Sequence, residues 1–155
     1  MTYQIRAAHP ADLAAILALF PRLAAFEIPP QRDPADLWRG DAELLQQWAA
    51  GKVPECLVFV AVDTEQRILG TAIARLREEL LSHEPSAHLE VLVVADGAEG
   101  QGIGAALIAE SERAVQAHGA RSITLHVFAN NTRARRVYER MGYSGELIRY
   151  IKHLA

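Results

Sequence analysis

Between Leu89 and Val94 the chain sets five apolar residues around one carboxylate, Glu90, and then passes Gly100, Gly102 and Gly104 into a helical pattern. A short, valine-rich run bounded by turn residues predicts an interior strand. A carboxylate inside such a strand is costly unless it is paired or has work to do. Glycine permits positive φ and close backbone approach. A glycine-rich turn that opens a helix leaves several N–H groups unpaired and facing outward, which suits them to phosphate. The chain must therefore build a sheet with a helix returning over it and an anion-binding turn between them.

The 155 residues suit one domain, residues 1–155, with a real core. A formal net charge of −3 argues against a general nucleic-acid binder, so any phosphate must be held by local backbone geometry. Cys56 is the single cysteine, which excludes an intrachain disulfide framework and fits a reducing cytoplasm. The first ten residues hold no apolar signal core and no run approaches membrane-spanning length, so neither membrane nor nucleic acid is expected as a partner.

In chain order, Tyr3 to Ala8 alternates like a short strand. Pro10 opens a helix through Leu13, Ile16, Leu17 and Phe20, with Pro21 near its end. Phe26 to Gly40, with three prolines, reads as a loop, and Asp41 to Trp48 as a second helix. Leu57 to Val62 and Ile68 to Leu76 form a hairpin in which Gly70 marks a bulge, and Ser82 to Ala87 is the next turn. The helix after the glycines carries Leu107, Ser111, Ala114, Val115 and His118 on one stripe and stops at Gly119. Ser122 to Phe128 is a strand. Asn131 caps a helix bearing Ala134, Val137, Tyr138 and Met141, and Glu146 to Leu154 closes as a final strand whose end could pair across a homodimer. The order predicts an α/β (α+β) fold with a mixed sheet and helices on both faces.

The segments LEVLVVADGAEGQGIGAAL and LHVFANNTRARRVYERMGY resemble the GNAT superfamily of acetyl-CoA-dependent N-acetyltransferases. The resemblance implies a mostly antiparallel central sheet of about seven strands, with acetyl-CoA as cosubstrate and a primary amine of a small molecule or peptide as acceptor. The family's acyl-CoA loop, Arg/Gln-x-x-Gly-x-Gly/Ala, falls on Glu99 to Gly104. The glycines match, and Glu99 departs from the pattern. That carboxylate is expected to face solvent while the backbone of Gly100, Gln101, Gly102, Ile103, Gly104 and Ala105 holds the phosphates. The resemblance further implies that the central strand splays from its neighbour. The backbone of Leu92 and Val94 would then hold the acetyl and pantetheine groups, with Asn131 near the CoA arm and Tyr138 near its sulfur.

Acetyl transfer requires a proton to leave an ammonium whose pKa is about 10.4, donors for a developing oxyanion, and an acid for the leaving thiolate. Glu90, acting through water, is the candidate base, against a plainer reading as a strand residue paired to a basic neighbour. Tyr138 is the candidate acid, against a place in the core. Asn131 reads equally as a helix cap. Cys56 reads as buried filler. The histidines at 83, 88, 118, 126 and 153 lack metal-ligand spacing, so no metal is expected, although His88 and His126 sit by the proposed site. Trp38 and Trp48 suit either an acceptor pocket or the core. Glu27, Asp33, Asp36 and Asp41 suit either attraction of a cationic amine or a solvated loop. Two other functions compete. One is a non-catalytic acyl-CoA-binding or sensing module, motivated by Glu99. The other is nucleotide binding, which Gly102-Ile103-Gly104 serves poorly because it lacks the lysine and hydroxyl of a Walker loop.

Overall fold

The computed structural model describes residues 2–155. Five strands form one sheet in the order β1-β2-β3-β4-β5: β1 Gln4–Ala7, β2 Cys56–Val62, β3 Ile68–Glu78, β4 Pro85–Val94 and β5 Ile123–Leu125. All neighbours are antiparallel except β4 and β5, which are parallel because a helix crosses between them. The α-helices are α1 Leu13–Leu17, α2 Arg39–Ala49, α3 Ile103–Ala117 and α4 Thr132–Arg140. Alternation along the strands divides the core in two. Ile16, Phe20, Leu45, Val58, Val60, Val62, Val91 and Val93 fill the side under α1 and α2. Phe59, Ala61, Ala72, Leu89, Ile103, Leu107 and Ile108 fill the side under α3 and α4.

Several expected boundaries move. The first helix is a single turn and a half, flanked by 3-10 turns at Pro10–Asp12 and Phe20–Ala24, because Pro21 has no N–H to continue an α-helical ladder. The proline-rich loop contains a further 3-10 turn, Pro34–Leu37, capped by the Asp33 side chain. The expected turn Ser82 to Ala87 is partly strand. β4 begins at Pro85, where a missing N–H is tolerated at a strand's first residue. Gly70 lies beside a bulge, as expected, at the register shift between Ala61 and Val62. A Cβ at Gly70 would meet the Val93 carbonyl oxygen at 3.0 Å and Leu107 at 3.2 Å, so this residue lets α3 settle close on the sheet.

Two expectations fail. The sheet has five strands rather than about seven, and the final strand Glu146 to Leu154 does not form. Residues 144–155 are exposed, without regular structure. Apolar alternation gives a segment strand propensity but supplies no neighbour to pair with. The predicted strand Ser122 to Phe128 contracts to Ile123–Leu125, because β4 pairs with it only that far.

Candidate active site

Glu90 sits at a β-bulge. In the β3–β4 ladder Ile73 faces Val91 and Ala74 faces Leu89, so Glu90 is the surplus residue. The bulge reverses the strand's parity. Leu89 and Val91, two residues apart, lie in opposite cores. The amide of Ala87 donates to Ser122 in the β5 direction, whereas that of Ala95 donates to Leu69 on the β3 side. Past the bulge, therefore, Leu92 and Val94 present their backbone groups away from β3. β4–β5 pairing stops at Leu89 and Leu125, one residue before the bulge. The two strands thus fork at Glu90 and leave an open edge along Leu92 and Val94, as expected of the central strand.

The region after α1 spans this fork. Arg22 Nε donates to the Val94 carbonyl at 2.8 Å. Farther along, the Phe26 ring stacks on Phe128 at 5.5 Å, and Asn130 Nδ2 donates to the Glu27 carbonyl at 2.6 Å.

α3 begins against the same edge. Gly102 is its N-cap at φ 78°, and Gly100 has φ 79°. Ala106 is the first amide to bond back, to Gly102 at 3.0 Å. Among the described residues the amides of Gly100 to Ala105 have no acceptor within the chain. The side-chain Oε1 of Gln101 is buried there without a partner. A Cβ on Gly104 would lie 3.8 Å from Val94 Cγ2, so this N-terminus abuts the open edge. Free donors at a helix N-terminus fit a diphosphate group.

Glu99 departs from expectation. It faces neither phosphate nor open solvent alone, but pairs with Arg22 Nη2 at 2.6 Å and Arg133 Nη1 at 3.1 Å. Glu99 therefore ties the glycine turn to the segment after α1 and to the start of α4. It engages both cations beside the cradle.

Around Glu90, burial pushes its carboxyl above the usual carboxylate range, while Arg75, Arg77 and His126 oppose the rise. Asp41, in the first turn of α2, is pushed up to about 7 by burial and then by the Glu90 charge. Ionisations of such neighbours are coupled. Asp41 is thus the one member of the predicted acidic group that joins the site. Asp33 is a cap, Asp36 pairs with Arg39, and Glu27 contributes a backbone carbonyl. Between its unfolded value of 3.8 and about 7, Asp41 holds a proton in the folded chain that the unfolded chain has released, so stability falls as pH rises through that window. Asp41→Asn removes this penalty. Thermal melts should show a gain of a few degrees above pH 7, on the order of 1 kcal/mol after allowing for solvent screening, and no gain below the unfolded value.

Tyr138 packs against the same core cluster as Leu92, Val94 and Leu125, edge-on to Tyr143 at 5.9 Å, and burial raises its phenol pKa. Its hydroxyl has no hydrogen-bond partner among the described residues. Asn131 is a helix cap, accepting from the Ala134 amide at 3.3 Å. His88 is buried and 2.7 Å from Thr124 Oγ1, its ring 4.6 Å from that of His126. Burial first, then His126 and Arg77, push it down to about 4, so it is neutral at pH 7 and serves as a satisfied core residue. Cys56 is buried with its thiol pushed up to about 11, and both tryptophans pack on the core. No metal-binding group of His, Cys, Asp or Glu occurs among the described residues, nor any helix long and apolar enough to cross a membrane.

The family model described as "Acetyltransferase (GNAT) family" matches residues 20–143. The chain belongs to the GNAT acetyltransferase family. A mycothiol acetyltransferase of Renibacterium salmoninarum is 30% identical over 135 residues, which are 86% of this chain. The match spans only 38% of that protein's length. Among solved structures, a putative acetyl transferase from Pyrococcus furiosus superposes with a TM-score of 0.81 at 22% identity, covering 99% of this chain and 100% of the other. AAC(6')-Iy, solved with the bisubstrate analogue CoA-S-monomethyl-acetylneamine, gives a TM-score of 0.72 at 22% identity over 99% and 100% of the two chains. These likenesses establish the GNAT fold across nearly the whole chain. Sequence reading singled out Glu90, Tyr138 and the glycine turn as candidates. It did not connect Asp41 to Glu90 or Glu99 to its two arginines, because nothing local in the sequence marks partners so far apart.

Proposed function

We propose that this GNAT protein transfers acetyl from acetyl-CoA to a primary amine of a small molecule or peptide by direct attack in a ternary complex. The observation that carries the proposal is the set of free amides from Gly100 to Ala105 beside a strand edge that opens at Glu90. These amides, with Gln101, would hold the diphosphate. The backbone of Leu92 and the N–H of Val94 would pair with the pantetheine arm and face the acyl oxygen, the Val94 carbonyl being engaged by Arg22. Glu90, its affinity for a proton raised by burial and shared with Asp41, would draw the proton from the attacking ammonium through water. The paired carboxyls also favour a cation on that side of the fork. Tyr138, with an unengaged hydroxyl, would donate to the sulfur as it leaves. A single buried cysteine suits a reducing cytoplasm.

The test is CoA release from acetyl-CoA across a panel of amines, with calorimetry of acetyl-CoA binding. Turnover with at least one amine is expected. Failure of both measurements ends the proposal. Tyr138→Phe should lower kcat by about 10- to 100-fold while changing the KM for acetyl-CoA less than about threefold. A non-catalytic acyl-CoA-binding or sensing role is favoured by one feature, the engagement of Arg22 and Arg133 by Glu99. Binding without turnover, unaffected by Glu90→Gln and Tyr138→Phe, would select that role.

A further inference from the structure

One end of the sheet is polar on the side of α1 and α2. Cys56 belongs to that side's core and is the cross-strand partner of Arg75, and partners on adjacent strands share a face. Arg75 also faces His88, and Arg77 faces Ser86. Side chains at alternate positions keep the face, so Arg75, Arg77, Ser86, His88 and Glu90 all stand on the side of Cys56. A recess of about 410 Å³ opens there, lined by Glu55, Arg75, Leu76 and Arg77.

The two arginines of the recess differ. Arg75 Nη2 is 3.2 Å from Glu55 Oε1, so part of its guanidinium is engaged. Arg77 is exposed and makes no hydrogen bond or ion pair among the described residues. Glu90 makes no ion pair there either, although the charges of Arg75, Arg77 and His126 all act on it. The charge of Arg77 is felt at His88 too. An unpaired carboxyl and an unpaired cation thus share one face without touching. Ala74, level with the bulge, and Arg77 are three strand steps apart, roughly 10 Å of rise. That span, less the reach of two long side chains, suits a molecule whose ammonium and carboxylate lie a few bonds apart. Asp41 adds a second carboxyl at the Glu90 end and no cation.

We propose that the acceptor is an amino acid or short peptide whose free carboxylate is held by Arg77, beside Arg75, while its amine stands at Glu90. This inference rests on the acetyl-transfer reading above and narrows it. The planar fork of a guanidinium matches a carboxylate, and a second cation in the recess would be repelled by both arginines. Discrimination then lies in the acceptor's second group rather than in its amine. In the step itself the acceptor nitrogen bonds the acetyl carbon and the C–S bond breaks. The ammonium gives up two protons. One passes by way of Glu90 to solvent, and the other replaces, through solvent, the proton that Tyr138 gives the sulfur.

The experiment pairs each acceptor with its carboxamide, so that only the carboxylate differs. CoA release is followed for α- and ω-amino acids and dipeptides beside their amides, with cadaverine and glucosamine as cationic acceptors. The best carboxylate should exceed its own amide by about 10- to 100-fold in kcat/KM, the range a charged hydrogen bond supplies. Arg77→Met removes the charge from an exposed side chain and should bring that ratio within about threefold of one, through a raised acceptor KM. Arg77→Lys should restore part of the preference. Calorimetry of the same compounds on the protein loaded with desulfo-CoA reads the recess without turnover. Carboxylate-dependent binding that Arg77→Met abolishes supports the Arg77 site even if no amine is acetylated, and then the transfer reading alone fails. Amides or cationic acceptors that match the carboxylates overturn the proposal and leave acetyl transfer standing. A carboxylate preference that survives Arg77→Met also overturns it, as does a lack of binding by every carboxylate.

Discussion

Glu90→Gln is expected to lower kcat/KM by about 10²- to 10⁴-fold, the range associated with loss of a general base. Glutamine keeps the shape of the side chain at the bulge and cannot take a proton, so folding should be little affected. The pH profile gives the more specific readout. In the unsubstituted protein kcat/KM should rise with pH as the coupled Glu90–Asp41 pair ionises, with a limb near neutrality set by the raised affinities of both groups. In the glutamine variant that limb should vanish, leaving only the ionisation of the acceptor amine. A variant with full activity, or with low activity and an unshifted limb, would remove Glu90 from proton transfer. It would return the residue to a structural role beside Arg75 and Arg77.

Gly102→Val is expected to raise the KM for acetyl-CoA at least about tenfold and to cost roughly 1–2 kcal/mol of stability. Gly102 has φ 78° as the N-cap of α3, and a β-branched residue is strongly disfavoured there. The added carbons would also approach the Tyr3 hydroxyl, which lies 3.7 Å from where a Cβ would stand. Relief of the strain would swing the turn and scatter the six free amides. Calorimetry of acetyl-CoA binding and a thermal melt separate the two effects. Intact affinity in a destabilised protein would mean that phosphate is not held by this turn.

Much of this arrangement is legible in sequence. The Leu89 to Val94 run, the helical stripe from Leu107 to Val115 and the glycine turn depend on local periodicity and local conformational freedom, which sequence carries directly. The extent of β5 does not. Ile123 to Phe128 reads as one strand, but pairing ends at Leu125 because its partner is diverted by the bulge. Glu146 to Leu154 shows the same limit from the other side, with strand-forming residues and no neighbour within the chain. His118, predicted on the buried stripe, is instead the exposed C-cap of α3, with Nδ1 2.9 Å from the Ala114 carbonyl. In the site, Arg22 and Glu99 lie 77 residues apart and meet only because the chain folds back across the fork.

The surplus residue in β4 has a consequence for what the family member can lose. Deleting any one residue from His88 to Glu90 would restore regular pleating along the strand. Val91 and Val93 would keep their side of the sheet, since Leu89 and Val91 would follow one another in plain alternation, and the outward peptide groups of Leu92 and Val94 would lie along a straight β4 on which β5 pairing would run on past Leu89. The product could still be a sheet with two hydrophobic sides, yet its fork would have no unclaimed main-chain groups to offer a guest. A one-codon deletion there should therefore separate folding from ligand capture more cleanly than any side-chain exchange.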